Sequence, residues 1–410
     1  TGKPLDVLSS LLRETKTPVI HGWPAMTGGL IGALGYDLVQ TWERLPIRAK
    51  RDLPLPLYVM VETRELFILD HVQGTLGVVV WTDIPDRLGS RMLAERFHAA
   101  HDAARRAYAR WVERSAGGTP TLAETEPEQE TPTTKASYSS EAFQDAVRDA
   151  QGYIAAGHAY QVNLSLRHSR PASADPAAIY ESLRRVNPSP YMGLLRRPGM
   201  ALVCGSPELL VKLVDRRIVS RPIAGTRPRG TDAEDDRNLA TELLANEKER
   251  AEHLMLVDLI RNDIGRVAEH GSVLVREFMG VERYSHVMHL VSEIEGRLAA
   301  GQNWADVLRS LFPGGTISGC PKIRTMEIIE ELEPVGRGFY TGSLGWISYQ
   351  GDLEMNIIIR SMLVQAGVAH VQAGAGIVAD SQPEREFDEA TRKAQALWVA
   401  LELASARQHG

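Results

Sequence analysis

The sequence predicts an α+β fold built on antiparallel sheets. Short strand-like runs follow one another along the chain, as at 57–62, 66–70 and 76–81, instead of alternating one by one with helices. Such grouping is typical of antiparallel pairing, whereas a doubly wound parallel sheet needs a helix between successive strands. Of the 410 residues, 43% are hydrophobic and 24% are charged. That composition is typical of a globular protein with a large buried core.

The charge distribution argues against two classes of partner. The formal net charge is −6, and no run of lysine or arginine dominates the chain. No apolar run approaches the about 18–20 residues that cross a bilayer. We therefore expect no nucleic-acid partner and no membrane partner. Two isolated cysteines, Cys204 and Cys320, and the lack of a recognisable leader peptide predict a cytoplasmic location.

Composition divides the chain into three parts. Residues 1–116 form an N-terminal part that contains the three strand-like runs and a long helical pattern. Residues 117–137 are acidic, rich in threonine and proline and almost free of large apolar side chains, which predicts a flexible linker or loop. Residues 138–407 form the remaining region, which mixes short strands with long helices and carries most of the motifs considered below.

Helical periodicity is strong on both sides of the linker. Residues 91–114 carry a long helical pattern, and residues 140–157 predict a second helix that begins at a cap formed by Ser139 or Ser140. Serine favours this position because its hydroxyl accepts a hydrogen bond from a free N–H of the first helical turn.

One helix places two acids on a largely apolar face. The stretch 242–266 predicts a helix in which Glu249, Glu252, Leu256 and Leu259 share one side. A solvated ladder of charges is the ordinary explanation for a charged helix. Here, however, the two carboxylates continue an apolar stripe, which modestly favours a functional role.

A second helix repeats this arrangement. In 381–404, Glu386 begins an apolar face and Glu389 lies one turn further on. Acids near a helix N-terminus are also explained by the helix dipole alone. Two such pairs nevertheless predict a shared site for a hard cation such as Mg²⁺, because clustered carboxylates repel one another unless a cation or protons compensate.

Three glycine-rich stretches, 28–37, 312–319 and 372–381, do not fit a phosphate-binding loop. Each is by itself more typical of a turn or a tight packing point. The exposed backbone amides around Gly374 and Gly376 suit a carboxylate.

Other polar residues stand in apolar surroundings. His286 and His289 occur in a mixed apolar stretch, where a histidine is usually structural but can transfer protons if other motifs converge on it. Arg360 ends a buried-looking strand and therefore needs an anion, from the protein or from a ligand. Neither cysteine lies in a nucleophile motif.

Seven segments together resemble the chorismate-utilising enzyme family. They are SPELL (206–210), RPIAGTRPRG (221–230), ELLANEKERAEHLMLVDLIRND (242–263), MHLVS (288–292), GGTISGCPKIRTMEIIEELEP (314–334), GSLGWIS (342–348) and QAGAGIVADS (372–381). The resemblance implies two packed antiparallel sheets with helices outside and an active site between them. It also implies that 138–407 is the chorismate-binding catalytic region and that Mg²⁺ is the cofactor.

The resemblance assigns roles to the four helical acids. Glu252 and Glu389 match the direct Mg²⁺ ligands of the family, and Glu249 and Glu386 match the outer carboxylates that hold the water molecules of the metal. The metal in turn holds the ring carboxylate of chorismate.

The resemblance also implies a second carboxylate pocket. Arg360 and Tyr340 match residues that bind the enolpyruvyl carboxylate, and the amides around Gly374 and Gly376 line the same pocket.

Further residues match those of the family near the reacting ring. His289 and Thr316 match polar groups near the ring and its departing substituents. Glu208 matches the acid that helps the C4 hydroxyl leave, and Lys322 belongs to the same glycine-rich segment with a less defined role.

Two subfamilies that use ammonia are the nearest in these motifs. Ala224 occupies a position where many aminodeoxychorismate synthases carry a nucleophilic lysine, and alanine there is usual in anthranilate synthases. A subclass of aminodeoxychorismate synthases also carries this alanine, and in it ammonia itself attacks chorismate. YQVNLS (160–165) and GDLEMNIIIR (351–360) resemble component I of aminodeoxychorismate synthases. Anthranilate synthases tend to have Phe-Gln-Val-Val at the first stretch and a threonine near Met355 in the second.

Two segments favour an aminodeoxychorismate synthase, and one substitution favours an anthranilate synthase. The sequence therefore predicts an aminodeoxychorismate synthase component I that receives ammonia from a glutamine amidotransferase subunit. The alternatives are anthranilate synthase component I, a relative that uses water to form isochorismate or salicylate, and a binding protein that has lost activity. The last would need one of the four acids to be missing, and none is. NPSPYM (187–192) matches part of the family's tryptophan pocket, but the early Leu-Leu-x-Ser segment is absent, so tryptophan binding stays open.

Overall fold

The computed structural model describes residues 3–13, 17–85, 88–116, 134–284 and 287–409. The strands are β1 (Gly29–Leu34), β2 (Tyr58–Thr63), β3 (Glu65–Asp70), β4 (Thr75–Val80), β5 (Lys135–Ala136), β6 (Gln161–Pro171), β7 (Tyr191–Arg197), β8 (Met200–Ser206), β9 (Leu209–Val214), β10 (Arg217–Arg221), β11 (Ile223–Pro228), β12 (Leu274–Arg283), β13 (Val287–Arg297), β14 (Gly319–Cys320), β15 (Ser343–Ser348), β16 (Leu353–Asn356), β17 (Ser361–Gln365) and β18 (Val368–Ile377).

The helices complete the architecture. They are α1 (Pro4–Arg13), α2 (Ser90–Ala116), α3 (Ser140–Ala155), α4 (Pro176–Val186), α5 (Ala233–Ala245), α6 (Glu247–Gly265), α7 (Trp304–Leu311), α8 (Gly315–Ser318), α9 (Lys322–Leu332) and α10 (Pro383–His409), with a 3₁₀ turn at Tyr36–Thr41.

The described strands form two large sheets and a separate β3–β4 hairpin. One sheet has the order β11-β13-β10-β9-β16-β15-β1-β2, with β12 added at β13. The other has the order β14-β6-β18-β17-β8-β7, with β5 added at β6. All these pairings are antiparallel, which confirms the predicted α+β class.

The two sheets pack face to face. Ala33 and Leu344 of the first sheet share a buried cluster with Leu202 and Leu363 of the second. Helices α3, α4, α9 and α10 contact the second sheet or one another, whereas α5 and α6 contact the first. Because β1 pairs with β15, the N-terminal part and the region 138–407 contribute strands to the same sheet.

The chain crosses between the sheets at two places that lie side by side. The first crossing joins β8 to β9 and contains Glu208, and the second joins β16 to β17 and contains Arg360. The N–H of Ile357 donates to the carbonyl of Glu208 at 3.0 Å, and the N–H of Gly205 donates to the carbonyl of Arg360 at 3.0 Å. These bonds fix the two crossings against each other.

Two local predictions need correction. The stretch 242–266 is not one helix, because α5 ends and α6 begins around Asn246. The Asn246 side chain accepts the N–H of Glu249 at 3.0 Å and so caps the second helix. The other correction concerns the end of the predicted linker, where Lys135 and Ala136 pair with β6.

The rest of the linker prediction, 117–133, lies outside the described residues. The predicted cap at Ser139 is confirmed, because its hydroxyl accepts the N–H of Ala142 at 3.1 Å. Within the described residues, no helix is both long and apolar enough to span a membrane.

Candidate active site

The two crossings bring Glu208 and Arg360 to one place. We call these two residues, together with Thr316, the crossover end of the site. Glu208 is 5% exposed. Burial raises the pKa of its carboxyl to about 7, against opposing effects of the Thr316 hydroxyl, the Ile223 N–H and the charge of Arg360. A carboxyl with this pKa is partly protonated near neutral pH and can act as an acid.

Arg360 is a half-buried cation without a protein anion bound to it. Among the described residues, its guanidinium has neither an ion pair nor a hydrogen bond, and Glu208 is the nearby charge that acts on it. Burial lowers the pKa of Arg360, and Glu208 opposes that shift. Its backbone has φ 48, in the left-handed region. A non-glycine residue in this conformation is uncommon and costs energy, so the surrounding structure must impose it.

His289 lies on β13 beside the strand that carries Ala224. It is 2% exposed, and its Nδ1 lies 3.0 Å from the Thr226 hydroxyl and 3.3 Å from the Gly225 carbonyl oxygen. Burial, followed by the charge of Arg360, lowers the pKa of His289 to about 4. The imidazole is therefore neutral near pH 7, and its low pKa makes it a weak proton acceptor. Ala224 is 8% exposed, and its small side chain leaves room there.

Several candidate site residues carry unsatisfied polar atoms. Buried side-chain atoms without a hydrogen-bond partner of normal geometry include the Thr316 hydroxyl, Oε1 of Glu208, Oε1 of Gln161, Oδ1 of Asn163 and Oε2 of Glu249. Buried polar groups are usually satisfied, so these exceptions favour a ligand or water that completes the bonding.

The four helical acids form the other part of the site, which we call the carboxylate end. Glu249 and Glu252 project from the first two turns of α6, and Glu386 and Glu389 from the first two turns of α10. Burial raises the pKa of Glu252 and of Glu386, and the charge of Glu389 raises both further. Glu389 is therefore close enough to repel an acid on each helix.

Each of three acids has a partner at this end. Gln161 donates to Glu252 at 2.8 Å, Arg227 donates to Glu249 at 2.7 Å, and the Lys393 ammonium lies 2.7 Å from a carboxylate oxygen of Glu389. These contacts reduce the repulsion that would otherwise oppose the grouping of the acids.

The carboxylate end fits Mg²⁺ in donor chemistry. Magnesium prefers oxygen ligands and is usually bound by one or two carboxylates together with water molecules and substrate. Glu252 and Glu389 provide such a pair, and Oε2 of Glu249 is a further oxygen without a partner. In the described part of the chain, no three histidine, cysteine or acidic side chains are grouped closely enough to hold a metal on their own. Magnesium binding therefore stays a prediction.

Strand β18, which we call the glycine strand, lies beside the carboxylate end. Gly374 and Gly376 lie on β18 opposite Ser165 and Asn163 of β6. A Cβ at Gly374 would lie 2.4 Å from the Leu164 carbonyl oxygen, and one at Gly376 would lie 2.3 Å from the Gln161 amide nitrogen. No larger residue fits without displacement. Lys393 donates to the Gly374 carbonyl at 3.0 Å and so ties this strand to the carboxylate end.

Tyr340 and Lys322 have neighbours other than the groups predicted for them. The ring of Tyr340 lies 5.7 Å from the guanidinium carbon of Arg337. Lys322 forms an ion pair with Asp263 and donates to the carbonyls of Ser310 and Leu311 at 3.3 and 3.2 Å. The last contacts are with the C-terminal end of α7, where a lysine stabilises free carbonyls. These contacts give Lys322 a structural role, and its catalytic assignment gains no support from them.

Comparison with known proteins agrees with this geometry. A profile of the family described as chorismate binding enzyme matches residues 2–398. The chain belongs to this family.

Individual relatives of this chorismate-binding enzyme carry two different names. Aminodeoxychorismate synthase component 1 of Bacillus subtilis is 43% identical over 404 residues, covering 98% of this chain and 83% of that protein. Anthranilate synthase component 1 of Thermus thermophilus is 49% identical over 403 residues, covering 98% and 84%. Both names designate one component of an enzyme, which implies a separate partner subunit for those proteins.

A solved structure shows the same fold. Anthranilate synthase component I of Streptococcus pneumoniae superimposes with a TM-score of 0.83 at 34% identity, covering 96% of this chain and 85% of that one. This likeness confirms the predicted anthranilate synthase component I-like architecture.

Sequence reasoning missed three residues of the site. In the sequence, Gln161 and Asn163 enter only through the YQVNLS segment, although the unsatisfied oxygens of both point to a local function. Nothing in the sequence distinguishes Lys393 from the lysines that form surface ion pairs four residues after an acid on a helix. Contacts with Gly374 and Glu389 give it a place in the site.

Proposed function

We propose that this chorismate-binding enzyme is component I of an aminodeoxychorismate synthase. It converts chorismate and ammonia to 4-amino-4-deoxychorismate, a precursor of 4-aminobenzoate and folate, through noncovalently held 2-amino-2-deoxyisochorismate. Ammonia comes from a glutamine amidotransferase subunit. The observation that carries the choice of product is the environment of Asn163.

Asn163 presents a free amide oxygen beside the glycine strand. Its Oδ1 is buried without a partner and lies 3.0 Å from the position of a Cβ at Gly374. A buried amide destabilises the protein unless it is hydrogen bonded, so an amide at this position supports a polar ligand group beside it. The valine typical of anthranilate synthases offers no such bond. We infer that Asn163 interacts with the enolpyruvyl group and favours its retention.

The crossover end supplies the acid and an anion site. Arg360 binds the enolpyruvyl carboxylate, because its fork of donors matches a carboxylate. Protonated Glu208 donates its proton to the C4 oxygen, which leaves as water while ammonia attacks C2. Neutral His289 provides a polar group near the ring, and the proton of the attacking nitrogen passes to water.

The carboxylate end orients the substrate. Glu252 and Glu389 would bind Mg²⁺ directly, with Glu249 and Glu386 holding its water molecules. When bound there, Mg²⁺ supplies positive charge for the ring carboxylate and favours its alignment.

The second half of the reaction determines the product. A second ammonia adds at C4 and the first leaves from C2, so that pyruvate is retained. Ala224 provides no nucleophile, and we therefore expect no covalent intermediate at this position. An anthranilate synthase instead loses the C2 proton and pyruvate, and a difference of about 1.4 kcal/mol between the two barriers changes the product ratio tenfold.

Anthranilate synthase component I is the second candidate, favoured by Ala224 and by the 49% identity to the Thermus protein. Incubation of the purified chain with chorismate, Mg²⁺ and an ammonium salt separates the candidates. The proposal predicts 4-amino-4-deoxychorismate by mass spectrometry, 4-aminobenzoate only after addition of an aminodeoxychorismate lyase, and no covalent adduct in the mass spectrum of the intact protein. Direct formation of anthranilate as the main product would refute the proposal.

Two variants test the role of Asn163. Asn163→Val should increase the share of anthranilate among the products severalfold. Tyr160→Phe is the matched control, because it changes the other distinguishing residue of the same segment, and Tyr160 is 71% exposed. An unchanged product ratio in Asn163→Val would remove the basis for the choice.

The ammonia source is tested separately. The sequence contains no cysteine-elbow glutaminase motif, so the chain alone should use ammonium but not glutamine. Adding a glutamine amidotransferase subunit should restore the use of glutamine. Release of glutamate from glutamine by the purified chain alone would contradict the two-subunit proposal.

A further inference from the structure

A fully buried ion pair lies behind the candidate active site. The side chains of Glu333 and Arg337 are 2% and 1% exposed. Nη2 of Arg337 lies 2.7 Å from Oε1 of Glu333, and its Nε lies 3.0 Å from Oε2. The pair therefore has the two-pronged geometry that gives an arginine–carboxylate contact directional specificity.

Every N–H of this guanidinium has a partner. Besides the two bonds to Glu333, Nη1 donates to the Ile317 carbonyl at 2.9 Å and to the Thr341 hydroxyl at 3.2 Å. Nη2 also donates to the Asn163 carbonyl at 2.7 Å. An arginine has five N–H donors in a fixed plane, and here all five are used inside the protein.

Glu333 extends the network to the neighbouring strand. Its Oε1 accepts the N–H of Ser165 at 2.9 Å and the hydroxyl of Ser165 at 2.8 Å. The amide of Gln372 donates to the same hydroxyl at 2.9 Å. The pair therefore joins the end of α9 to β6 and β18.

The backbone and hydroxyl groups held by the pair are next to predicted site residues. Ile317 follows Thr316, and Thr341 follows Tyr340. Asn163 and Ser165 are the strand partners of Gly376 and Gly374. One planar side chain thus sets the relative positions of Thr316, Tyr340 and the glycine strand.

We propose that Arg337 is a positioning residue for chorismate binding and turnover, an inference that rests on the proposed substrate. A buried ion pair is a weak source of stability, because removing both charges from water opposes their attraction. Its directional bonds are better explained by the relative positions that they impose on the neighbouring site residues. Lysine keeps the charge but replaces five planar donors with three on a flexible chain, so it cannot hold the same carbonyls.

Arg337→Lys tests this inference without leaving Glu333 unpaired. We expect kcat/KM for chorismate to fall about 100-fold or more, since small displacements of a site are costly. Measured at the same multiple of KM for chorismate, the concentration of Mg²⁺ at half-saturation should stay within about twofold, because the acids stand on α6 and α10. If Arg337 were purely structural, Arg337→Lys would lower the thermal unfolding midpoint without lowering kcat/KM for chorismate selectively.

Arg170→Lys is the matched control. Arg170 also forms an ion pair, with Glu402 at 3.2 Å, and lies 4.4 Å from the ring of Trp398, but it holds none of the site backbone. Its variant should retain the activity of the unmodified chain.

A second variant separates geometry from charge. Arg337→Met combined with Glu333→Leu removes both charges, but it leaves the Ser165 N–H and the Ile317 and Asn163 carbonyls without these partners. We therefore expect a lower unfolding midpoint and at least the same loss of kcat/KM. If Arg337→Lys does not fold, or if a folded variant stays within threefold of the unmodified chain, the positioning role is wrong. If the unmodified chain itself consumes no chorismate, the proposed function fails instead.

Discussion

At the crossover end, Glu208 and Arg360 lie on two segments that are bonded to each other where the chain passes between the sheets. At the carboxylate end, the acids project from the first turns of α6 and α10. Glu249 and Glu389 contact long side chains with several rotatable bonds, those of Arg227 and Lys393. The first end is fixed by the backbone, and the second depends on side chains and helix termini.

This difference indicates how the two ends handle charge. The crossover end keeps an unpaired guanidinium and a partly protonated acid, and both are ready for a ligand without rearrangement. The carboxylate end contains excess negative charge that its cationic side chains only partly offset, which is suited to a metal that arrives with substrate. Three predictions test this distinction, in order of expected effect.

The largest effect should come from the carboxylate end. Glu252→Gln and Glu389→Gln should each reduce ammonia-dependent chorismate consumption by about 10³-fold or more, because a neutral amide of equal volume weakens metal ligation. Steady-state kinetics at saturating Mg²⁺ measures the loss, and circular dichroism checks the fold. Glu247→Gln and Glu384→Gln, at exposed positions of the same helices, are the controls. Full activity of either site variant would remove the metal assignment.

A smaller effect is expected at the crossover end. Arg360→Lys should raise KM for chorismate about 100-fold, since an ammonium cannot reproduce a two-pronged bond to a carboxylate. The dependence on Mg²⁺ should be unchanged, because no acid of the carboxylate end contacts this guanidinium among the described residues. Arg261→Lys, an exposed residue of α6 paired with Asp258, is the control. An unchanged KM would show that the enolpyruvyl carboxylate binds elsewhere.

The smallest change concerns pH. The protonated form of Glu208 is the active acid and its pKa is about 7, so kcat/KM at constant free ammonia should fall about tenfold per unit above that pH. In the folded state Glu208 keeps its proton up to a pH of about 7, whereas in the unfolded chain it releases that proton near pH 4.5. The stabilisation that the bound proton gives to the folded state is therefore present at low pH and is lost as pH rises through about 7.

Glu208→Gln provides the comparison for this pH dependence. Its unfolding midpoint should vary less with pH between about 4.5 and 7 than that of the unmodified chain, because the neutral amide does not titrate. Equal pH dependence of both proteins would mean that Glu208 is not the titrating group.

The sequence predicted the carboxylate end better than the crossover end. Glu249, Glu252, Glu386 and Glu389 were found by helical periodicity, which is a local signal. The break at Asn246 was missed because a capping asparagine stands inside a continuous helical pattern. The approach of Glu208 to Arg360 depends on two distant strand connections, and no local pattern contains that information. Only the family resemblance indicated it.

The central claim is that both ends bind one chorismate molecule. Glu208→Gln should bind chorismate without turning it over, so calorimetry can measure equilibrium binding with and without Mg²⁺. We predict that Mg²⁺ strengthens binding at least about tenfold, or 1.4 kcal/mol. Adding Glu252→Gln should abolish that gain, and adding Arg360→Lys should weaken binding while the gain remains. Equal affinity with and without Mg²⁺, together with no effect of Arg360→Lys, would contradict the claim.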